Sequence, residues 1–580
     1  MNFFTDNEDL QHHFKHAIAW ESFVPLWEDG FANPDGPKSV AEARELYEAS
    51  LVALGEFAAK EIAPKALLID EQGVAFRDGQ VVHPEALLQN IEGLRRLGAM
   101  ALCVPREHGG YNFPMTVGAA ATELIARACN NTMLLHAFHQ GPALMVMRFG
   151  TPGQIARWVR PLAEGRISGA VAMTEPDAGS DVGNLSTAAV AEGDHWRITG
   201  RKQFITNGCG DMCVVLARTE QGASGLDGLS LLIAPRLDNG RENYKVAKPE
   251  KKFTIRGSAT CELAFDDSRA ELLGPRGAGF AEILTFMNES RVAVAVQGLG
   301  LSQAAFHAAR EYAERRVQMG RPIARHELVA DILLDMEAEL QAMRALVLRC
   351  AQLHDRIIGL TRRRSAGEAR ELEPLKRALR DRTPLVKWFG AERTLWITRA
   401  AVQVHGGYGV VQEYQVERHY RDALILPIYE GTSQMQALMS LKDQVKWAFA
   451  RPWRLFTGPA RVEATQDTLG DALREMAAEY NRALRSVIVE SVGLSGVLLA
   501  LAGKAEPDRE RLAYALLSAE RLCAMLAYTR AAEALLGSVA GSSQRRRLAE
   551  RFIHRSLPLV RMHGEIVRSG DLDTLEGLRP

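Results

Sequence analysis

The feature that most constrains this chain is a change of hydrophobic period, made twice. From about Ala41 to Glu164 apolar residues recur every three or four positions, as in "VAEARELYEASLVALGEFAAKEI", which is the spacing of a helix face. Near Ser168 the period drops to two. In "HWRITGRKQFITNG", Trp196 and Ile198 face one way, Arg197 and Thr199 the other. "MCVVLART", "GLSLLIAP" and "CELAFDD" are short apolar runs bounded by Gly, Asp and Pro, so residues 168–275 read as strands of a small sheet or sandwich. After "GPRGAGF" the helical period returns and predicts long helices around 279–318, 326–357 and 384–404. The charged "TRRRSAGEARELEPLKRALRDRT" interrupts them and reads as a solvated face or linker. Helices, then strands, then helices imply segregated layers, an α+β fold that is mainly α, rather than alternating βαβ units.

Composition narrows the function classes. A chain of 580 residues with 47% hydrophobic content exceeds one ordinary domain. A net charge of −1 gives no whole-chain field toward nucleic acid or an anionic membrane. Seven scattered cysteines, an odd count without repeated spacing, argue against a disulfide framework and for a reducing, cytoplasmic setting. Cys209 and Cys213 form a CxxxC, but no second Cys/His pair accompanies them, so neither a metal nor a redox pair is expected there. The start, "MNFFTDNEDL", lacks a basic region followed by an apolar one, so no signal peptide is expected; nor is a membrane span. Beyond residue 445 the pattern stays helical, and Leu512, Leu516, Ala519, Cys523 and Leu526 form one apolar stripe expected to pack on protein. The basic cluster "SQRRRLAERFIHR" reads as a solvated helix face.

Several stretches carry chemistry. "LPIYEGTSQMQ" sets Glu430 between a Tyr and a Gly, with hydroxyl and amide residues behind it, unusual neighbours for a solvated loop acid. "AMTEPDAGSDVGNLST" is rich in small and hydroxylated residues where the sheet begins, so its backbone could approach a ligand or simply turn. "QFITNG" is a polar loop after a strand. "VAVAVQGLGLSQAAF" imitates a dinucleotide fingerprint, but the third Gly is replaced by Gln303 and the run lies inside helical periodicity. "GGYGV" ends a helix with glycines, as a ligand approach or a plain cap would. His136 and His139 in "HAFH" have no third ligand and read as packed residues, so no metal site is expected; His405 precedes the glycine pair and could touch a ligand.

The order of these stretches is more specific than any one of them. "VAMTEPDAGSDV", "GRKQFITNG", "ERRVQMGRPI", "AVQVHGGYGV" and "YEGTSQMQ" together resemble the acyl-CoA dehydrogenase flavoproteins, over roughly residues 80–445. The resemblance implies a helical N-terminal domain (41–165, after an arm, 1–40), a middle β-sandwich or barrel (166–276), a C-terminal four-helix bundle (277–445) and an extra helical extension (446–580). It implies FAD as cofactor, lined by Met173, Thr174, Ser180, Phe204 and Thr206. Phe204 stands where the family often has Trp, and Met319 where Phe commonly follows Gln318. Arg316 and Gln318 match the segment reaching the FAD of a neighbouring subunit; Gln403, Gly406 and Gly407 match the adenylate side; Thr432 and Gln434 match the stretch beside the base.

The resemblance also makes Glu430 the catalytic base. A proton α to a thioester is weakly acidic, and a carboxylate in water is a poor base for it. Excluding water beside an apolar acyl chain raises the carboxylate's proton affinity, while donors stabilise charge on the thioester oxygen. In the family those donors are a flavin ribityl hydroxyl and the base's own backbone N–H; Gly431 allows the turn, and FAD N5 takes the β-hydride. Arg291 in "NESRVAVA" matches an Arg lining the acyl pocket, with a buried ion pair the other reading. The implied product is a trans-2-enoyl-CoA and the implied electron acceptor an electron-transferring flavoprotein. Longer relatives are usually homodimers, and some associate with membranes through the extension, a reading not favoured here. Two alternatives share the flavin: an acyl-CoA oxidase using oxygen, and a DNA-associated relative like the alkylation-response flavoproteins, against which the near-neutral charge argues.

Overall fold

The computed structural model describes residues 1–220, 222–363, 368–450, 462–501 and 509–570. The chain divides into two compact units, Met1–Asp6 with Arg44–Ser290, and Asn7–Ala43 with Arg291–Pro580.

The first unit holds most of helix α1 (Val40–Phe57), then α2 (Glu85–Arg96), α3 (Met115–Ala128), α4 (Asn130–Phe149) and α5 (Pro152–Ala163). Helix α5 starts as the sequence predicts. The Thr151 side chain accepts from the Gln154 N–H at 3.3 Å, Gln154 returns the bond to the Thr151 N–H at 3.0 Å, and Pro152 takes the first turn. One departure is a small hairpin, Ala75–Arg77 with Gln80–Val82, inside a region read as helical. Its Asp78-Gly79 turn has φ 50° and 77°, the left-handed pair a two-residue hairpin needs.

Strands follow: β1 (Gly169–Ala172), β2 (Ala188–Glu192), β3 (His195–Thr206), β4 (Met212–Arg218), β5 (Leu229–Pro235), β6 (Lys245–Pro249) and β7 (Thr260–Leu273). β7 pairs with β3, β3 with β2, β2 with β4, β4 with β5, and β5 again with β7. That ring is a barrel; β1 extends it from β4 and β6 from β7. Strand β4 is apolar at every position from Met212 to Ala217 because both of its faces are covered. Met212, Val214 and Leu216 pack with Ala143, Val146, Val159 and Leu162 of the helices, while Cys213, Val215 and Ala217 face a second cluster with Leu232, Leu263 and Phe265.

The second unit is helical, containing α6 (Gly279–Arg315) from Arg291 onward, α7 (Glu327–Arg363), α8 (Glu368–His405), α9 (Val416–Ala423), α10 (Ser433–Ala450), α11 (Thr468–Leu501), α12 (Arg509–Gly537) and α13 (Ser543–Ser569). The glycines that imitate a nucleotide fingerprint lie inside α6. A Cβ on Gly298 would lie 3.1 Å from the Gly390 carbonyl, and one on Gly390 would lie 2.8 Å from Ala295, so glycine permits the close α6–α8 crossing. Ser302 and Thr394 hydrogen-bond across it at 3.1 Å. By length and composition α6 is long and apolar enough to cross a membrane, but 72% of its apolar window is buried in protein, as in a core helix.

Two charged stretches expose much of their charge, as expected, and also carry ion pairs that composition does not reveal. The stretch read as an interruption is helical from Glu368 on, and only residues 364–367 lie outside the described residues. Arg370, Glu371, Glu373 and Lys376 are exposed, but three charges near its end are paired: Arg380 to Asp443 at 2.6 Å, Arg382 to Glu533 at 3.2 Å, and Asp381 to Arg530 at 2.9 Å and Gln444 at 2.6 Å. The basic cluster of α13 exposes Arg546, Arg547, His554 and Arg555, the solvated face expected of it, while four of its arginines are also paired. Arg545 is buried against Asp9 and His13, Arg546 meets Asp467 at 2.5 Å, and Arg551 and Arg555 grip Asp331. The apolar stripe is part of a wider burial. Helix α12 packs on α7, α8, α10, α11 and α13, and every residue from Leu522 to Tyr528 is 5% exposed or less. Leu516 is exposed, and the Leu512 side chain lies outside the described residues.

Candidate active site

In the second unit the site grows from the loop between α9 and α10. Glu430 sits there half-buried with φ 56°, and Gly431 follows at φ 83°. Two consecutive left-handed residues turn the chain sharply; the second must be Gly, because a Cβ there would lie 2.7 Å from Gln436 Nε2. The turn is held from behind. Gln436, fully buried, donates to the carbonyls of Glu430 at 3.3 Å and Gly431 at 3.0 Å. Tyr429 donates its hydroxyl to Gln297 of α6. Burial, and then the adjoining Glu430 charge, pushes the Tyr429 hydroxyl up, which keeps it a neutral donor. Ser433 Oγ donates to Glu392 of α8 at 2.6 Å, and Thr432 Oγ accepts from the Met435 N–H at 3.2 Å, capping α10.

Two buried cations face this turn. Arg291 of α6 is 4% exposed; burial lowers its proton affinity and the Glu430 carboxylate opposes that. Its guanidinium lies 3.9 Å from where a Gly431 Cβ would be. Lys387 of α8 is fully buried, and its Nζ has no hydrogen-bond partner among the described residues. Burial brings its pKa down to about 8, against the pull of Glu430 and Glu392 and with a push from Arg291. Both readings of Arg291, pocket residue and ion-pair member, are compatible with this placement. Sequence reasoning missed Lys387, although a lone Lys inside the apolar run "PLVKWFG" was a usable signal.

The same unit presents an exposed rim. Gln403, Gly406 and Gly407 are exposed at the end of α8, and a Cβ on either glycine would meet no atom within 4 Å. Arg316 lies 5.9 Å from the Tyr408 ring beside them. Gln318 belongs to an exposed hairpin whose tip, Met319-Gly320, has φ 49° and 77° and leaves Met319 93% exposed. His405 is not free for a ligand: burial lowers its pKa, its ring stacks on Tyr312 at 4.3 Å, and its Nδ1 bonds the Ala401 carbonyl at 2.8 Å. Gln434 is exposed, with its amide 3.4 Å from Glu520 of α12.

In the first unit a second constellation forms at strand ends. The Gln203 N–H donates to the Thr174 carbonyl at 2.8 Å, which sets Thr174 next to the strand segment that carries Phe204 and ends at Thr206. Met173, Thr174 and Thr206 are half-buried, whereas Phe204 is 62% exposed at φ 61°, a rare conformation for an aromatic residue. Ser180 is exposed farther along the loop. A buried ion pair lies beneath: Lys202 Nζ meets Glu175 at 2.8 Å and the Met173 carbonyl at 3.0 Å. Glu175 also accepts from Ser186 N and Oγ, both at 2.7 Å, and from Thr187 N at 3.0 Å. Burial raises the Glu175 pKa, but Lys202 and these donors outweigh it and hold it at about 2; burial brings Lys202 down to about 8. Neither residue was singled out from the sequence.

Taken unit by unit, the chemistry of these residues is compatible with FAD. The open backbone at Gly406 and Gly407 leaves room for close approach, and an exposed aromatic beside two half-exposed hydroxyls suits a flat polar ring. Acyl-CoA dehydrogenase N-terminal, middle and C-terminal domains match residues 46–166, 170–268 and 277–444. The 3-methylmercaptopropionyl-CoA dehydrogenase of Ruegeria pomeroyi is 33% identical over 486 residues, 80% of each chain. The mitochondrial short-chain specific acyl-CoA dehydrogenase of Homo sapiens is 33% identical, covering 69% of this chain and 90% of that protein. Among solved structures, butyryl-CoA dehydrogenase from Megasphaera elsdenii aligns with a TM-score of 0.60 at 28% identity, over 69% of this chain and 98% of that one. An acyl-CoA dehydrogenase complexed with FAD from Bacillus anthracis reaches a TM-score of 0.73 over 92% of this chain and 90% of that one, at 22% identity a likeness of fold alone. This chain therefore belongs to the acyl-CoA dehydrogenase family of FAD-dependent oxidoreductases.

Proposed function

We propose that the chain oxidises an acyl-CoA thioester to its trans-2-enoyl-CoA, with Glu430 as the base. The observation that carries this reading is the Glu430 turn itself: a half-buried carboxylate in left-handed backbone, anchored through Gln436 and Tyr429, faced by two buried cations. Gln436 and Gln297 keep the turn from relaxing, so the carboxylate can be aimed at one carbon. Its Oε atoms take the α-proton, and the Glu430 N–H is available to the thioester oxygen as charge develops there. Bound FAD supplies the two-electron acceptor for the β-hydride. Met173, Thr174, Ser180, Phe204 and Thr206 hold the flavin ring region; Arg316, Gln318, Gln403, Gly406, Gly407, Thr432 and Gln434 hold the rest, with the Arg316–Met319 hairpin of a second copy in a homodimer. An electron-transferring flavoprotein is the proposed acceptor.

The test is anaerobic titration of the yellow protein with butyryl-, 3-methylmercaptopropionyl-, cyclohexane-1-carbonyl- and glutaryl-CoA, the acyl groups named among its relatives. Bleaching of the flavin by at least one supports the reaction; no bleaching by any acyl-CoA counts against it. Full bleaching by Glu430→Gln removes Glu430 from the mechanism. Peroxide release under air in preference to flavoprotein reduction would make it an oxidase instead.

A further inference from the structure

The CxxxC spacing makes no pair of Cys209 and Cys213, and the fold sets Cys209 near a different cysteine. Cys213 is fully buried in β4, where burial pushes its thiol up to about 12. Cys209 lies half-buried in the turn after β3, and Cys261 is the second residue of the neighbouring strand β7, in register with Ile205. A Cβ on Gly208 would lie 3.0 Å from the Cys261 Cβ. Cys209 packs against the buried cluster that contains Cys261, and its thiol donates to Asn207 Oδ1 at 3.9 Å. His83, which follows the small hairpin at Gln80–Val82, places Nε2 3.5 Å from Cys209 Sγ. Its Nδ1 has no partner among the described residues. The Cys261 contact, then His83, pulls the Cys209 thiol down against the effect of burial. No group of three or more metal-binding side chains occurs among the described residues, and the proposed dehydrogenation uses none of these three residues.

We propose that Cys209, Cys261 and His83 form a peroxide-reactive dithiol site. Cys209 is the attacking thiolate, its proton resting on His83, and Cys261 is the resolving thiol. The thiolate attacks one oxygen of hydrogen peroxide; the O–O bond breaks and the sulfur is oxidised to sulfenic acid. The departing hydroxide takes the proton from His83 and leaves as water. The Cys261 sulfur then attacks the Cys209 sulfur. The S–O bond breaks, the S–S bond forms, and the hydroxyl leaves with the Cys261 proton as a second water. Two thiols and one peroxide thus give one disulfide and two waters. The product ties the turn after β3 to β7, five residues beyond Phe204.

The test uses the full-length holoprotein, treated with a few equivalents of hydrogen peroxide, denatured, alkylated and mapped by mass spectrometry. Of the seven thiols, two should be lost, in one peptide pair linking Cys209 to Cys261, and dithiothreitol should restore both. Under the same treatment Cys209→Ser should keep Cys261 reduced. Cys261→Ser, if it folds, should leave Cys209 as a sulfenic acid trapped by dimedone. His83→Gln should slow disulfide formation about tenfold at neutral pH and little at alkaline pH, where the thiolate forms unaided. Retention of all seven thiols, a different cysteine pair, or equal thiol loss in Cys209→Ser would overturn the proposal; the wild-type measurement alone suffices to do so.

Discussion

Lys202 and Lys387 are both fully buried and both brought down to about 8, yet they differ in kind. Lys202 is satisfied: Glu175 and the Met173 carbonyl receive its protons, and Glu175 is in turn saturated by Ser186 and Thr187. Such a pair holds geometry, here the strand ends that carry Thr174 and Thr206. Lys387 has the charge and the burial without a hydrogen bond among the described residues, while facing the carboxylates of Glu430 and Glu392. A buried polar group left this way is costly unless something else meets it. The contrast separates a cation satisfied within the scaffold from one left facing two carboxylates.

Replacing the anion that Lys387 faces should give the largest effect. Glu430→Gln should cut the rate of flavin bleaching by about 10²–10⁴, the usual contribution of a general base, while leaving the unfolding free energy within about 1 kcal/mol of wild type. A variant that bleaches at full speed would dissolve the functional half of the contrast. Lys202→Met comes next. It strands a buried carboxylate and should destabilise the protein by about 3–5 kcal/mol in urea unfolding, with loss of flavin on gel filtration. A stability loss under about 1 kcal/mol would mean the pair is not structural.

Lys387→Met should act in the opposite sense, with stability at pH 7 unchanged or raised and bleaching slowed. The pH dependence sharpens this. A lysine lowered from 10.5 to about 8 favours the neutral form when folded, so the unfolded chain binds more protons between those values. The penalty is full below about pH 8 and is relieved as pH rises toward 10.5, by roughly 3 kcal/mol at most. Urea midpoints from pH 7 to 10 should therefore rise less steeply in Lys387→Met than in wild type; identical slopes would show that Lys387 carries no buried charge. The smallest effect is expected for Gly407→Ala. Its Cβ meets nothing in the protein, so stability should shift by no more than about 0.5 kcal/mol, while FAD affinity falls. Unchanged affinity would remove that glycine from the cofactor's path.

The sequence by itself determined the succession of helical and strand segments, because period and turn chemistry are local properties. Thr151-Pro152 announces its helix, and "MCVVLA" announces a strand covered on both faces. The Asp78-Gly79 hairpin is equally local in origin, set by its two-residue turn. The position of Glu430 among its motifs was also legible. Tertiary structure decided which distant side chains share a space. Lys387 and Glu430 are 43 positions apart, Glu175 and Lys202 27, Cys209 and Cys261 52. Periodicity tells which face of an element turns inward, but not which neighbour it finds there. That choice follows from how helices cross and strands register, as where Gly298 lets α6 close on α8. For the same reason the charged stretches of α8 and α13, solvated as their composition implies, also hold ion pairs to partners far along the chain that composition does not name.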